Sequence, residues 1–518
     1  MKWRLSMLLA LLIGLLGSSM VQAADLRFAI RVGPTTLDPH FHNYYANQGM
    51  LPNIYEPLLD SDPDGKLVPV LAESWKSTGP TTWEFHLRKG VKFHDGADFT
   101  AGDVVSSIER VRAIEGSPGS LAGYVNDIAE MEVVDDYTIR FHTKAPSPIL
   151  PNQLIRILIL DSANKATTAE IDTGKGAIGT GPYKNVRYVR DNVWELERNP
   201  DWWGPAQPWD KVSYTSIPNE ASRLAAFLAG DFDILEGIPL ANIKSVAQDK
   251  RFNVYSKAAM QTYWLNMDTA RQVTPQVTDP SGKPLDPNPL QKRDVRKALL
   301  MSIDRKALVD RFMEGYGDVA NQVTAPAAAE GVTVEPVPYD PAGAKALLAQ
   351  AGYPDGFSLV LTGLTGVVAG DELINQAIGQ FFTRIGVRTQ VDSLPPQVAI
   401  PKAVRGELSI YFTGSPTPDA YIPLRNTQMT VNKEAGIGSG NRMNYSNPEF
   451  DAVMEEVLVT IDDAKRRELL AQAVKLITDD VSVIPLFHPH YTWATRNGIT
   501  YRPAAFLMNQ AVLATPAK

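Results

Sequence analysis

The chain of 518 residues contains no cysteine. This absence excludes disulfide bonds, thiolate metal sites, a cysteine nucleophile and a lipid-anchored cysteine. Positive charge is also in short supply, because 50 Lys and Arg residues face 58 Asp and Glu residues, which gives a formal net charge of −8. An acidic chain is a poor partner for nucleic acid or for an anionic membrane surface. Stability must therefore come from core packing.

Sequence signals of catalysis are missing as well. The chain has no Gly-x-Ser-x-Gly elbow, no His-Glu-x-x-His motif and no phosphate-binding Gly-x-x-x-x-Gly-Lys loop. Two histidine pairs are spaced two residues apart, but without nearby carboxylates they make a weak metal site. We therefore expect no catalytic residue, no metal site and no cofactor.

The first 23 residues have the pattern of a secretory signal. Lys2 and Arg4 precede an apolar run over residues 5–16, and small residues lead to Val21-Gln22-Ala23. The apolar run is too short for a bilayer span, which needs about 20 residues. We expect cleavage after Ala23 and a mature protein free in the periplasm, not a lipoprotein.

Strand and helix patterns alternate along the rest of the chain, which is too long for a single core and predicts two α/β lobes. Residues 60–180 form a separate α+β pattern. There Trp83, Phe85 and Leu87 alternate with polar residues, as in a half-buried strand. Thr100 followed by Asp103 indicates the beginning of a helix.

Further elements are predicted from the apolar patterns along the chain. They are a strand that begins at Val91, a strand at 261–267, a helix over 294–313 and a strand at 483–487.

An ordered set of short segments resembles one family, the family 5 solute-binding proteins of ABC importers (dipeptide, oligopeptide and nickel type). The resemblance covers essentially the whole mature chain. The segments are TLDP at 36–39, IYEPL at 54–58, LAESW at 71–75, TWEFHLRKGVKFHDG at 82–96, TAGDVV at 100–105, GTGPY at 179–183, RNPDWWG at 198–204, RDVRKA at 293–298, IDR at 303–305, YDP at 339–341, AGY at 351–353 and NPEFD at 447–451.

The resemblance implies a type II periplasmic-binding-protein fold with hinge strands near residues 263–267 and 484–488. It divides the chain into a first lobe (24–59, 181–262 and 488–518), an inserted domain (60–180) and a second lobe (263–487). It also implies a monomer whose lobes close over a small-molecule or peptide ligand and deliver it to inner-membrane ABC permease subunits.

Two departures from the family pattern bear on the ligand. Peptide-binding members often hold the ligand amine with an Asp three residues after a strand Trp, but here Phe412 and Ser415 occupy those positions. Asp419 is displaced by four residues. An Arg that some dipeptide receptors use for the ligand carboxylate is absent from the matching loop, residues 362–370. A zwitterionic dipeptide is thus less favoured than the resemblance alone suggests.

Three segments supply the candidate ligand contacts. Residues on alternate positions of the first hinge strand should share a face, which puts Trp264 with Asn266 and leaves Tyr263 on the other face. Trp202 and Trp203 either stack on a ligand or form a packed corner. The candidate contacts are Asn43, Tyr44, Tyr45, Tyr263, Trp264, Asn266, Ser415, Asp419 and Tyr421.

The ligand class stays open at this point. A peptide is the leading expectation, with an opine or a glycoside as alternatives. A metal or metallophore receptor would need His40, His42, His488 and His490 to meet, and a secreted hydrolase would need a nucleophile that cannot be read from the sequence. If the ligand is uncharged near Asp419, this residue should cap a turn or point to solvent, which is the outcome we expect.

Overall fold

The computed structural model describes residues 25–517 except residues 64, 326–327, 329–330, 417–418 and 507. The predicted signal, residues 1–23, lies outside the described residues. Among the described helices none combines the length and the apolar character needed to cross a bilayer.

The described strands range from two to fourteen residues, and the longest lies near the C-terminus. In chain order they are β1 (Asp25–Ile30), β2 (Leu59–Ser61), β3 (Leu67–Pro69), β4 (Ala72–Gly79), β5 (Thr82–Leu87), β6 (Ile128–Asp135), β7 (Thr138–Thr143), β8 (Tyr183–Val189), β9 (Val193–Arg198), β10 (Lys211–Ser216), β11 (Ile234–Glu236), β12 (Phe252–Ala258), β13 (Gln261–Met267), β14 (Val277–Thr278), β15 (Gly317–Val319), β16 (Phe357–Leu364), β17 (Val387–Leu394), β18 (Ile410–Pro416), β19 (Val483–Arg496), β20 (Ile499–Tyr501) and β21 (Ala514–Pro516).

The described α-helices have between five and seventeen residues. They are α1 (Tyr45–Met50), α2 (Ala101–Ala113), α3 (Leu150–Leu154), α4 (Thr168–Asp172), α5 (Glu220–Ala229), α6 (Ile243–Gln248), α7 (Arg293–Ser302), α8 (Arg305–Phe312), α9 (Pro341–Gln350), α10 (Asp371–Arg384), α11 (Pro396–Val404), α12 (Tyr421–Thr427), α13 (Pro448–Val459) and α14 (Asp463–Asp479).

A single strand, β19, joins the two halves of the main sheet. Its first part pairs with β13 and its last part pairs with β12, both antiparallel. The order of the sheet is β14-β16-β18-β13-β19-β11-β1-β10-β9-β8, while β12 and β15 also pair with β19 and β17 pairs with β16. The chain thus passes between the halves along β12–β13 and along β19. This is the mixed α/β, two-lobe architecture that the sequence predicts.

Each half of the main sheet packs around a core of its own. Phe28, Trp194 and Trp493 are buried in the first lobe, whereas Leu265 and Phe382 are buried in the second. Apolar side chains leave water on both sides of the sheet, which is the dominant favourable term in forming such layers.

The inserted domain has a separate sheet, in the order β4-β5-β7-β6, and a separate core. Trp83, Phe85 and Phe93 are buried in this core, as the sequence predicts. At its end the chain alternates between two cores, because Ile157 packs in the inserted domain and Leu158 packs in the first lobe. The precise domain boundaries remain a prediction.

Buried Glu56 ties three of the motif segments together. Trp202 Nε1 and Trp203 Nε1 donate to its two carboxylate oxygens at 3.0 and 2.8 Å, and Thr180 Oγ1 donates at 2.8 Å. A Cβ on Gly179 would lie 1.9 Å from the Ile54 carbonyl oxygen, so this close approach needs glycine. The two tryptophans therefore form a packed corner.

Asp38 makes a second junction, between the first loop and the inserted domain. It is fully buried and accepts two hydrogen bonds from Arg110, at 2.7 and 2.6 Å, and one from Thr168 Oγ1 at 2.6 Å. Burial alone would raise the pKa of Asp38, but the hydrogen bonds and the charge of Arg110 hold it below its usual value.

Candidate ligand-binding cavity

A cavity of about 410 Å³ lies between the two lobes and the inserted domain. The first lobe contributes residues around 43–49 together with Tyr491 and Met508, the inserted domain contributes residues around 149–156, and the second lobe contributes residues 415–422. The volume is within the range of small-molecule sites. Since three separate parts of the chain form its walls, a motion of one lobe against the other would change its shape.

The tyrosine-rich loop before α1 forms the first-lobe wall. Asn43 and Tyr45 line the cavity. Asn43 Nδ2 donates to Tyr124 Oη of the inserted domain at 3.2 Å, which fixes the loop against that domain. Tyr44 is not among the lining residues. Its ring stacks on that of His42 and lies tilted against that of Tyr45, with centroids 5.3 and 4.4 Å away.

The loop between β18 and α12 forms the opposite wall. Ser415 and Asp419 both line the cavity. Asp419 Oδ1 accepts hydrogen bonds from the backbone N–H groups of Tyr421 at 2.9 Å and Ile422 at 2.6 Å, and so caps the first turn of α12. Asp419 thus caps a turn, which is one of the two placements expected from the sequence. The sequence predicts that Pro416 and Pro418 restrict the backbone beside this loop, and Pro418 lies outside the described residues.

Tyr421 is placed away from the cavity, in the core of the second lobe. Its side chain is buried among helix residues such as Leu424 and Met454, and this burial raises its pKa well above the usual tyrosine range. Contact of Tyr421 with a ligand stays a prediction. The position of its side chain in the core of the second lobe does not favour such a contact.

The three candidates on the first hinge strand are buried and do not line the cavity. Tyr263 Oη donates to the Val367 carbonyl at 2.8 Å. Trp264 Nε1 donates to Asn266 Oδ1 at 3.0 Å, and Asn266 Nδ2 donates to Tyr411 Oη at 3.0 Å. These three side chains do not reach the cavity because β13 is a central strand covered on both faces. The predicted shared face of Trp264 and Asn266 is confirmed, whereas contact of these three with a ligand is untested.

Arg156 was not predicted from the sequence. It follows α3 in the inserted domain, is half-buried, and lines the cavity. Arg156 and Asp419 are the charged side chains among the described lining residues, and they come from opposite walls. No local signal marks Arg156, because only the folding of the inserted domain over the cleft brings it there.

Neutral polar and aromatic side chains make up much of the remaining lining. Gln48, Asn152 and Gln153 offer amide groups, and Tyr491 and Phe506 offer aromatic surface. The buried Oε1 of Gln153 has no hydrogen-bond partner within the described chain. A cavity with amides, rings and one charge of each sign suits a polar ligand with apolar parts.

The histidines do not assemble into a metal site. Within the described ranges no group of three or more His, Asp or Glu residues could hold a metal ion. Burial lowers the pKa of His40 and the pKa of His488 to about 4. The ring of His40 is hydrogen-bonded to the Leu158 carbonyl, and the ring of His488 is hydrogen-bonded to Thr262 Oγ1. His490 Nε2 lies 3.0 Å from Asp318 Oδ2. The meeting of four histidines that a metal receptor would need is not found.

A larger concavity of about 920 Å³ is confined to the second lobe. It lies between α14 and residues 331–337, and no first-lobe residue lines it. Because closing of the lobes cannot enclose it, it is the weaker candidate for a binding site.

Comparison with known proteins identifies the family. Residues 66–432 match the family described as bacterial extracellular solute-binding proteins, family 5 Middle, and the chain belongs to this family. A curated relative, the glutathione-binding protein GsiB of Salmonella choleraesuis (strain SC-B67), is 27% identical over 472 residues, which are 90% of this chain and 89% of the relative.

Two solved structures show the same fold. The unliganded open form of the periplasmic murein tripeptide binding protein MppA has a TM-score of 0.80 at 21% identity, covering 96% of this chain and 98% of that one. The ABC transporter-associated periplasmic binding protein DppA of Helicobacter pylori, in complex with the peptide STSA, has a TM-score of 0.72 at 23% identity, covering 96% and 99%. The chain is thus a two-lobe solute-binding protein.

Proposed function

We propose that this chain is the periplasmic receptor of an ABC importer and that it binds a peptide in the cavity between the lobes. The observation that carries the proposal is the composition of that cavity, with amide groups, aromatic rings, one arginine and one aspartate on walls from both lobes. A peptide presents amide groups, side chains of mixed polarity and charged ends, so its chemistry matches each of these features.

The relatives support the same ligand class. GsiB is named for glutathione, and the MppA and DppA structures are named for a murein tripeptide and for the peptide STSA.

Localisation and partners follow from the same proposal. The mature protein acts in the periplasm after removal of residues 1–23, as a monomer without a lipid anchor, and hands its ligand to the inner-membrane permease subunits. It performs no chemistry on the ligand, because capture and release require only differential closure of the lobes around it.

Mass spectrometry of solute retained by protein gently isolated from the periplasm tests the proposal. A short peptide is expected, and its addition to ligand-free protein should reduce the radius of gyration in X-ray scattering as the lobes close. Retention of a glycoside, an opine or a metal complex instead would contradict the peptide assignment. Turnover of the retained solute would contradict the receptor role.

A further inference from the structure

Arg156 has a position and a set of contacts that packing alone does not explain. The guanidinium lies over the ring of Phe506, with its central carbon 5.3 Å from the ring centroid, and it borders the cavity. Its backbone N–H donates to the Gln153 carbonyl at 3.1 Å, but within the part of the chain that the structure describes none of its side-chain N–H groups donates a hydrogen bond and no carboxylate lies within ion-pair distance. A half-buried arginine with five donors in a fixed fork is thus available to a bound group.

Phe506 and Asp60 are the neighbours that restrict and partly balance the guanidinium. The stacked Phe506 ring restricts it on one side. Asp60 lines a small side space together with Arg156 and Phe506, and although burial raises the pKa of Asp60 to about 6, the charge of Arg156 opposes that rise. Asp60 therefore balances part of the arginine charge without an ion pair, and the guanidinium donors stay available to a group bound in the cavity.

We propose that Arg156 binds the carboxylate of the ligand, from the wall of the inserted domain opposite Asp419. This deepens the proposed function and rests on it. A single planar guanidinium pairs bidentately with one carboxylate. The same fork would also fit a phosphate, but a doubly charged phosphate would bring excess negative charge into a cavity that also contains Asp419, so the charge favours a monoanionic group.

The assignment of Arg156 to the carboxylate fixes the direction in which a peptide lies in the cavity. The loop of the second lobe at residues 362–370 contains no arginine, so the carboxylate end of a peptide has no cationic partner there. Arg156 supplies one from the other side of the cleft. The ligand therefore lies with its carboxylate toward the inserted domain and its other end toward α12 and Asp419.

A comparison of free acids with amides tests this directly. Ligand-free protein is mixed with a pool of tri- and tetrapeptides that lack Asp and Glu, offered once as free acids and once as C-terminal amides, and the peptides retained after gel filtration are quantified by mass spectrometry. Wild type should retain free acids at least 10-fold over amides, because a hydrogen-bonded charge contact contributes about 10- to 100-fold in affinity. Arg156→Gln should lose that preference, and Arg156→Lys should keep part of it.

Arg384→Gln is the matched control, because Arg384 also lies over an aromatic ring, Phe381 at 5.4 Å, but does not line the cavity. It should behave as wild type. Equal retention of acids and amides by wild type, or an unchanged preference in Arg156→Gln, would overturn the assignment of Arg156 and leave the peptide receptor standing. Retention of no peptide from either pool would contradict the proposed function, and the assignment with it.

Discussion

Glu56 at its junction and Arg156 at the cavity are both ionisable side chains at least partly removed from water, yet they differ in how their hydrogen-bonding groups are satisfied. Glu56 accepts hydrogen bonds from two indoles and one hydroxyl. Arg156 has no such partner in the described chain. A buried polar group whose hydrogen bonds are satisfied within the protein stabilises the fold, whereas a partly buried group without partners is available to bind a ligand.

The largest effect on stability is expected at the other bonded junction, Asp38. Asp38→Ala leaves Arg110 without its carboxylate, so we expect a loss of about 3–5 kcal/mol in the free energy of unfolding. Urea titration measures it. Glu109→Ala, on an exposed position of the same helix as Arg110, should change it by less than about 0.5 kcal/mol. Similar losses in the two variants would contradict the role of Asp38.

Acid should act through the same carboxylate. Because the pKa of Asp38 is lowered in the folded protein, its contribution to stability is present above the unfolded value near 4 and is lost as the pH falls through the folded value. Wild type should therefore lose more unfolding free energy below about pH 4 than Asp38→Asn does. Parallel pH profiles for the two proteins would speak against this linkage.

Glu56→Gln should lower the free energy of unfolding by less, about 1–3 kcal/mol. The new NH₂ group cannot accept a hydrogen bond and would face one of the donors that now bond to the carboxylate. Thermal unfolding measures it.

Since burial raises the pKa of Glu56 to about 7, the contribution of Glu56 to the free energy of unfolding is complete below the unfolded pKa near 4.5 and is lost as the pH rises through about 7. The destabilisation caused by Glu56→Gln should vary over that interval, and a constant difference between pH 4 and 8 would refute the shift.

The smallest effect is expected at Asp419. Asp419→Asn retains the Oδ1 acceptor that caps α12, so stability should change by less than about 1 kcal/mol. If the ligand carries no positive charge at this end, affinity should also change little, by less than about 3-fold in calorimetric titration with the copurified ligand. A loss above roughly 2 kcal/mol of binding free energy would instead indicate an ion pair with the ligand.

Much of the local structure follows from the sequence. The predicted strand 261–267 has the bounds of β13, and the Thr100–Asp103 pair is found, with Thr100 N and Oγ1 both donating to Asp103 Oδ2 at the beginning of α2. These features depend on residues that are close in sequence, where alternation and capping are reliable guides.

Three local predictions were wrong for identifiable reasons. The strand expected at 483–487 continues to Arg496. Proline within a run argues against a strand, but β19 contains Pro485 beside a register shift against β13 and pairs Pro489 with Gly317 of β15. The helix expected over 294–313 is divided, since Asp304 Oδ1 accepts from Ala307 N and begins α8. The strand expected from Val91 is reduced to a bridge between Lys92 and Asp98.

The cavity was less accessible to sequence reasoning. Asn43, Tyr45, Ser415 and Asp419 were placed by resemblance and do line it, but their contact with a ligand is still a prediction. Arg156 belongs to the inserted domain, and it is far along the chain from every candidate contact that the sequence suggested. Non-local packing, which no short pattern encodes, decides such positions.

Calorimetric titration of Glu56→Gln and Arg156→Gln with the peptide retained by wild type, together with their unfolding free energies, tests the central contrast most directly. Glu56→Gln should lose stability and keep its affinity within about 3-fold, whereas Arg156→Gln should lose about 10- to 100-fold in affinity and keep most of its stability. Loss of stability without loss of affinity in Arg156→Gln would contradict the account.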